Sequence, residues 1–145
     1  MAKPLLDFSQ PLLVLAPLAG YTDLPFRSVV KKFGADLTIS EMISSNALVY
    51  NSKKTNKMLE RADNEDPYIV QIAGSDPAIV KDAVEILNDI DWIDGIDLNC
   101  GCPAPKVFNH GSGSNLLGDL KRLEEILSTI TKYSKKQYTS AKVRI

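Results

Sequence analysis

The sequence predicts an α/β domain built on a parallel sheet. Short apolar runs alternate with helical patterns along the 145 residues, in the order β-α-β-α-β-α-β-α-β. The apolar runs are continuous, as in strands covered on both faces. The composition, 44% hydrophobic and 24% charged, is that of one globular domain. Strict alternation implies right-handed crossovers between parallel strands. Two architectures satisfy it: an open doubly wound sheet, or part of a (β/α)8 barrel, which takes about 250 residues.

Leu12 to Ala16 reads as a buried strand, and Gly20 to Asp23 as a turn with Thr22 or Asp23 as helix N-cap. Pro25 falls in the first helical turn, where its missing N–H costs nothing. Phe26, Val29, Val30 and Phe33 then share one helical face, and Gly34 is a natural stop. A second strand spans Leu37 to Met42, followed by a helix within Asn46 to Arg61, a stretch that is polar on every side from Asn51 to Thr55. Tyr68 to Ala73 is the third strand, and Gly74-Ser75-Asp76-Pro77 is a turn that opens a helix lined by Ile79, Val80, Ala83, Val84, Ile86, Leu87 and Ile90. The fourth strand, Gly95 to Asn99, runs into a Gly-rich loop from Cys100 to Ser114. Leu120, Leu123, Ile126, Leu127 and Ile130 mark the last helix, with Lys132, Lys135 and Lys136 at its favourable end. Thr139 to Ile145 is a fifth strand.

Charge and apolar content narrow the class. Seventeen Lys+Arg against 18 Asp+Glu leave a net charge of −1, which argues against a general polyanion binder but not against a local basic patch. The apolar fraction excludes disorder. No apolar run is long enough to span a membrane, and no signal peptide is read at the N-terminus. Cys100 and Cys102 are too close for a mutual disulfide and too few for a structural zinc site, so no metal is expected and a reducing cytoplasm is the simplest setting.

In either architecture, functional residues gather at the C-terminal ends of the strands. Those ends read Ala16-Pro17-Leu18-Ala19-Gly20, Ser40-Glu41-Met42, Gln71 to Ser75, Asn99-Cys100-Gly101-Cys102-Pro103 and Lys142-Val143-Arg144. Lys142 and Arg144 point to the same side of their strand. A lysine on the inner side of a barrel calls for an anionic partner, such as a flavin or nucleotide. Composition leaves Cys102 evenly between a buried structural thiol and a presented one. Its place between Gly101 and Pro103 tips the reading to presentation, whereas Cys100 reads as structural. Taken singly, Gln71 reads as a mid-strand side chain bonded to a neighbouring strand-end group and Asn99 as a turn residue. Gly111-Ser112-Gly113-Ser114 reads as a flexible loop sooner than a phosphate cradle, since it lacks the Gly-Lys-Ser/Thr of a P-loop. His110 reads as a solvated loop residue, and the lysines at 53, 54, 57, 132, 135 and 136 as solvated helix faces sooner than RNA contacts.

Taken together, the strand ends resemble those of the flavin-dependent tRNA-dihydrouridine synthases, closest in flavour to the bacterial branch. The matching stretches are Ala16 to Asp23 with Pro25-Phe26-Arg27, then Ser40-Glu41-Met42 and Gln71 to Pro77. They continue with Asp97 to Pro103 and Lys106-Val107, Gly111-Ser112-Gly113 with Leu116-Leu117, and Lys142-Val143-Arg144. The resemblance implies a (β/α)8 barrel, incomplete here at about five strands and four helices, with FMN at the strand C-termini. It implies reduction of the C5–C6 double bond of uridine in tRNA, with NADPH as reductant. By position, Pro17, Leu18 and Ala19 would lie along the flavin, Gln71 would bond the isoalloxazine edge and Lys142 would sit near its N1–C2 carbonyl region. Hydride would pass from flavin N5 to uracil C6, Cys102 would protonate C5, and Asn99 and Arg144 would hold the flipped-out base.

Family members are about twice as long. Residues 1–145 would therefore be the N-terminal part of the barrel, without its later strands, its phosphate grip or the helical tRNA-binding domain. An open half-barrel exposes sheet edge and helix faces, which predicts self-association. The competing readings are a related FMN barrel acting on a free pyrimidine, as dihydroorotate and dihydropyrimidine dehydrogenases do, and a catalytically inactive half-barrel.

Overall fold

The computed structural model describes residues 6–144. The elements are β1 (Val14–Leu15), α1 (Leu24–Lys32), β2 (Leu37–Ile39), β3 (Ile43–Ser44), α2 (Ser45–Val49), α3 (Lys53–Met58), β4 (Tyr68–Ala73), α4 (Pro77–Asn88), β5 (Gly95–Cys100), α5 (Pro105–Phe108), a 3₁₀ turn at Gly113–Gly118, α6 (Leu120–Tyr133) and β6 (Tyr138–Val143). All strand pairs are parallel, in the order β1-β2-β4-β5-β6, with β3 also on β4. Each successive strand is added on the same side, so the order never reverses. A doubly wound sheet requires a reversal; a barrel forbids one. The fold is thus an incomplete (β/α)8 barrel.

The outer face of the sheet packs against the helices. Tyr68, Val70 and Ile72 of β4 and Ile96, Leu98 and Cys100 of β5 meet Val80, Val84 and Leu87 of α4 and Ile126 and Ile130 of α6, all buried. The α4 start follows its sequence: Asp76 accepts from the Ala78 and Ile79 N–H groups, and Pro77 occupies the first turn. Asp23 likewise caps α1 through the Phe26 N–H.

The second strand is broken by a bulge. Ile39 pairs with Ile69 but Ile43 pairs with Ile72, a slip of one residue across Ser40–Met42. The Ser40 hydroxyl takes over the interrupted ladder, accepting the Gln71 N–H at 2.9 Å. The segment after it forms two short helices, α2 and α3, instead of one, divided at Asn51, which has a positive φ of 54°.

Several expectations need correction. β1 has two residues and is not buried; Val14 is 47% exposed because β1 lies at the sheet edge. On α1 the apolar face is the solvent face: Phe26, Val29 and Phe33 are exposed, and the buried residue is Arg27. β6 begins at Tyr138 and is exposed along most of its length; Ile145 lies outside the described residues. Leu120 is exposed, and Lys136 is only partly exposed: its Nζ donates to the Ile90 carbonyl at 2.7 Å. The loop after β5 is not irregular but folds into α5 and the 3₁₀ turn.

Arg27 explains how α1 is held despite its exposed apolar face. Its guanidinium grips Glu65 through Nε (2.6 Å) and Nη2 (3.2 Å), and donates to the Thr22 and Glu60 carbonyls. Glu65 also accepts from Thr38 Oγ1 and the Ala62 N–H. The Tyr68 ring lies 4.9 Å from the guanidinium, and burial pushes its phenol up to about 12. Removing one partner of such a pair leaves an uncompensated buried charge. Arg27→Met is therefore expected to cost about 3–5 kcal/mol in denaturant unfolding; a loss below about 1 kcal/mol, the scale of a surface pair, would contradict this account.

Candidate active-site cleft

A cleft of about 480 Å³ opens at the C-terminal ends of the strands. That is within the roughly 300–1,000 Å³ range of small-molecule sites. Pro17, Leu18, Ala19, Gln71, Asn99, Cys102, Lys142 and Arg144 all line it. Every candidate residue named from sequence thus reaches one cleft, although they come from four segments of the chain. Met42 and Val143, which the sequence places at strand ends without a role, also line it. The helical periodicity that helped elsewhere carries no signal for residues contributed by loops and strand ends.

Each segment is held by identifiable bonds. The Pro17–Gly20 turn is tied to the end of β2, because Glu41 Oε1 accepts the Gly20 N–H at 2.5 Å. Thr22 Oγ1 accepts the Leu18 N–H at 3.0 Å. Leu18 itself remains 57% exposed, an apolar side chain presented to the cleft mouth.

Gln71, Asp97 and Asn99 project from the inner face of β4 and β5 and are buried. Gln71 Nε2 donates to Asp97 Oδ2 at 2.6 Å, and Asn99 Nδ2 donates to Gln71 Oε1 at 2.8 Å. Ser140 of β6 donates to Asp97 Oδ1 at 2.6 Å. Burial raises the Asp97 carboxyl above the usual carboxylate range, against the hydrogen bonds from Ser140 and Gln71 and the nearby charge of Lys142. Asn99 Oδ1 accepts the N–H groups of Gly101 (3.2 Å) and Cys102 (2.9 Å). Asn99 is therefore a clamp on the Cys102 loop as well as a cleft residue.

The other side of that loop is braced by the Gly111–Ser114 segment, which is ordered packing and not a free loop. The Cys102 carbonyl accepts from Ser114 N (3.0 Å) and Ser114 Oγ (3.1 Å). Gly113 has a φ of +63°, and a Cβ there would stand 2.5 Å from the Cys102 carbonyl oxygen. Only glycine fits both the conformation and the space. Arg144 Nε donates to the Gly101 carbonyl at 3.0 Å, so it offers a ligand only its remaining N–H groups. Lys142 pairs in register with Asn99. His110 is exposed, and its carbonyl accepts from Ser75 Oγ.

The two cysteines separate as the sequence suggested. Cys102 is partly exposed in the cleft, while Cys100 is buried in the outer core. Burial, with Asp97 adding to it, pushes the Cys100 thiol up to about 11. The thiolate is the reactive form, so at neutral pH the folded chain is expected to alkylate at Cys102 alone. Mass spectrometry after iodoacetamide treatment would find Cys100 modified only once the chain unfolds; equal labelling in the folded state would contradict this. Gly113→Ala is expected to speed Cys102 alkylation and lower stability by about 1–3 kcal/mol, read by labelling rate and denaturation.

The cleft pairs an apolar wall, Pro17, Leu18, Ala19 and Met42, with a wall of amides and cations, Gln71, Asn99, Lys142 and Arg144. Among the described residues no helix is long and apolar enough to cross a membrane.

Comparison with known proteins agrees with this geometry. The sequence model of the dihydrouridine synthase (Dus) family matches residues 14–145. A probable tRNA-dihydrouridine synthase of Helicobacter pylori strain J99 is 62% identical over 133 residues, covering 92% of this chain and 40% of the relative. The tRNA-dihydrouridine synthase B of Pseudomonas aeruginosa is 42% identical over 124 residues, covering 83% and 36% respectively. A probable tRNA-dihydrouridine synthase of Treponema pallidum is 39% identical over 115 residues, covering 79% and 34%. The chain thus spans between about a third and two fifths of the length of these relatives. With the family match running through the strand ends that build the cleft, the chain belongs to the dihydrouridine synthase family.

Proposed function

We propose that this chain is the N-terminal part of an FMN-dependent tRNA-dihydrouridine synthase that reduces the C5–C6 double bond of uridine in tRNA. The observation that carries the reading is the convergence of Cys102, Gln71, Asn99, Lys142, Arg144 and the Pro17–Ala19 turn on one cleft. The names of the relatives supply the substrate class.

Pro17, Leu18 and Ala19 would bear on the flat face of the flavin, and Gln71 and Lys142 would meet its polar edge. FMN, when bound, supplies the hydride for uracil C6, with NADPH as the reductant that restores it. The chain's own residues do the rest. Lys142 places a positive charge beside the site, which favours an anionic partner. Asn99 and Arg144 would orient the uracil, which must leave its stack to reach a cleft of this kind. Cys102, held at its N–H by Asn99 and at its carbonyl by Ser114, gives its thiol proton to uracil C5. A proton donor must be protonated beforehand, so a thiol suits this step only while it is not a thiolate.

The exposed α1 face and the β1 edge are apolar surfaces that closure of a barrel would cover, by further strands or by association with a second copy. Reduction of tRNA further implies a cytoplasmic setting.

The test is the dihydrouridine content of tRNA incubated with the chain, FMN and NADPH. Dihydrouridine is expected once the barrel is completed, by the further strands of the longer relatives or by a second copy, and not from residues 1–145 as a lone half-barrel. Cys102→Ala is expected to lower its rate of formation by about 10²–10⁴-fold, with flavin binding retained. Reduction of free uracil in place of tRNA, or full activity of Cys102→Ala, would overturn the proposal.

A further inference from the structure

No direct hydrogen bond joins Asp97 to Cys102, yet the two are linked through a chain of them. Ser140 Oγ donates to Asp97 Oδ1, Gln71 Nε2 donates to Asp97 Oδ2, Asn99 Nδ2 donates to Gln71 Oε1, and Asn99 Oδ1 accepts from Gly101 and Cys102. A carboxamide can turn over, exchanging its donor for its acceptor at almost no change in shape. Two amides in series are therefore ambiguous unless something outside them sets their direction.

Here both ends set it, and they agree. Backbone N–H groups only donate, so the Asn99 atom facing Gly101 and Cys102 must be oxygen. Its nitrogen then faces Gln71, which must present oxygen, and the Gln71 nitrogen then faces Asp97. From the other end, a carboxylate only accepts, so Gln71 must present nitrogen to Asp97, and the same chain follows in reverse. Gln71, Asp97 and Asn99 are buried, at 1%, 2% and 9% exposed, so water cannot readily replace a lost partner.

We propose that Asp97 is a positioning residue that fixes the polarity of the Gln71 and Asn99 amides and, through them, the seat of Cys102. This rests on the reading of Cys102 as the proton donor above. With one lone pair of Gln71 Oε1 taken by Asn99 and one Nε2–H by Asp97, Gln71 keeps its second N–H and the other lone pair of Oε1 for a ligand, each at a fixed place in the cleft.

The experiment reverses the chain. Asn99→Asp places carboxylates on both sides of Gln71, which can donate to only one of them. The double variant Asp97→Asn/Asn99→Asp moves the carboxylate to the other end. Its new carboxylate accepts from Gly101, Cys102 and Gln71 Nε2, Gln71 Oε1 accepts from the new amide at position 97, and that amide's oxygen accepts from Ser140. A third variant, Asp97→Leu/Asn99→Asp, relieves the same charge repulsion but offers Gln71 Oε1 no donor. The readouts are the hydrogen-exchange rate of the Cys102 amide by NMR and the denaturant midpoint.

Asn99→Asp is expected to speed Cys102 amide exchange on the order of tenfold. The reversed chain is expected to return it to within about twofold of the native value, and the leucine variant is not. If Asn99→Asp does not fold, recovery of folding by the reversed chain alone supports the proposal. The proposal is overturned if the single variant matches the native chain, if the reversed chain is no better than the single variant, or if leucine at position 97 rescues equally well. Neither readout involves flavin or RNA, so their failure is separate from a failure of the proposed activity, which Cys102→Ala decides.

Discussion

A barrel sheet has helices on one face only; its other face points toward the barrel axis, and what it carries there decides whether the interior is core or site. In this chain the inner face changes character along the strands. Ile69 on β4 packs with Leu37 and Ile39 of β2 as a small apolar cluster, and Tyr138 of β6 closes it. One pleat further along, the same face carries Gln71 and Asp97, with Ser140 beside them, and beyond those Asn99 and Lys142. Burying those amides and that carboxylate is tolerable only because each finds a partner; among the described residues no buried side-chain polar atom lacks one. The cleft depends on that condition. Its floor is a hydrogen-bonded network spanning three strands, and its Cys102 loop hangs from the end of it.

The second buried polar system, Arg27 with Glu65, lies on the helix side of the sheet and serves a different end. It fastens α1 to β2 and to the segment before β4 at a place where α1 has little apolar surface directed inward. Because α1 follows directly on the Pro17–Gly20 turn, fixing α1 also fixes one wall of the cleft. The bulge at Ser40–Met42 links the two systems. It lets Ser40 complete the ladder to Gln71, Glu41 hold Gly20 and Met42 line the cleft, from three consecutive residues. The Ser-Glu-Met motif thus has a physical reading for each of its members.

Much of this was legible in the sequence, and the exceptions share a cause. β4 and α4 follow from a continuous apolar run and a capped, proline-started amphipathic pattern, both local properties. The strand-end residues follow from the rule that sites gather where parallel strands end. Apolar periodicity misread α1 and β1, because periodicity says which residues share a face but not whether anything covers it. Phe26, Val29 and Phe33 do share a face, and it is the uncovered one. Arg27 and Glu65 were invisible for the complementary reason: a buried ion pair between residues 38 apart leaves no local pattern. Gly113 read as loop flexibility because the requirement for glycine comes from the Cys102 carbonyl, which only the fold brings near.

The buried amides of Gln71 and Asn99 form the ordered floor of the cleft that, as proposed, takes the flavin. Side-chain amide NMR of the isotope-labelled chain, recorded while FMN is added, addresses it directly. The account predicts separate, exchange-protected Gln71 and Asn99 side-chain signals before addition, and a saturable shift of Gln71 as FMN binds, with outer-core signals such as Leu98 unmoved. Rapidly exchanging amides before addition, or FMN binding that leaves Gln71 unchanged, would contradict it.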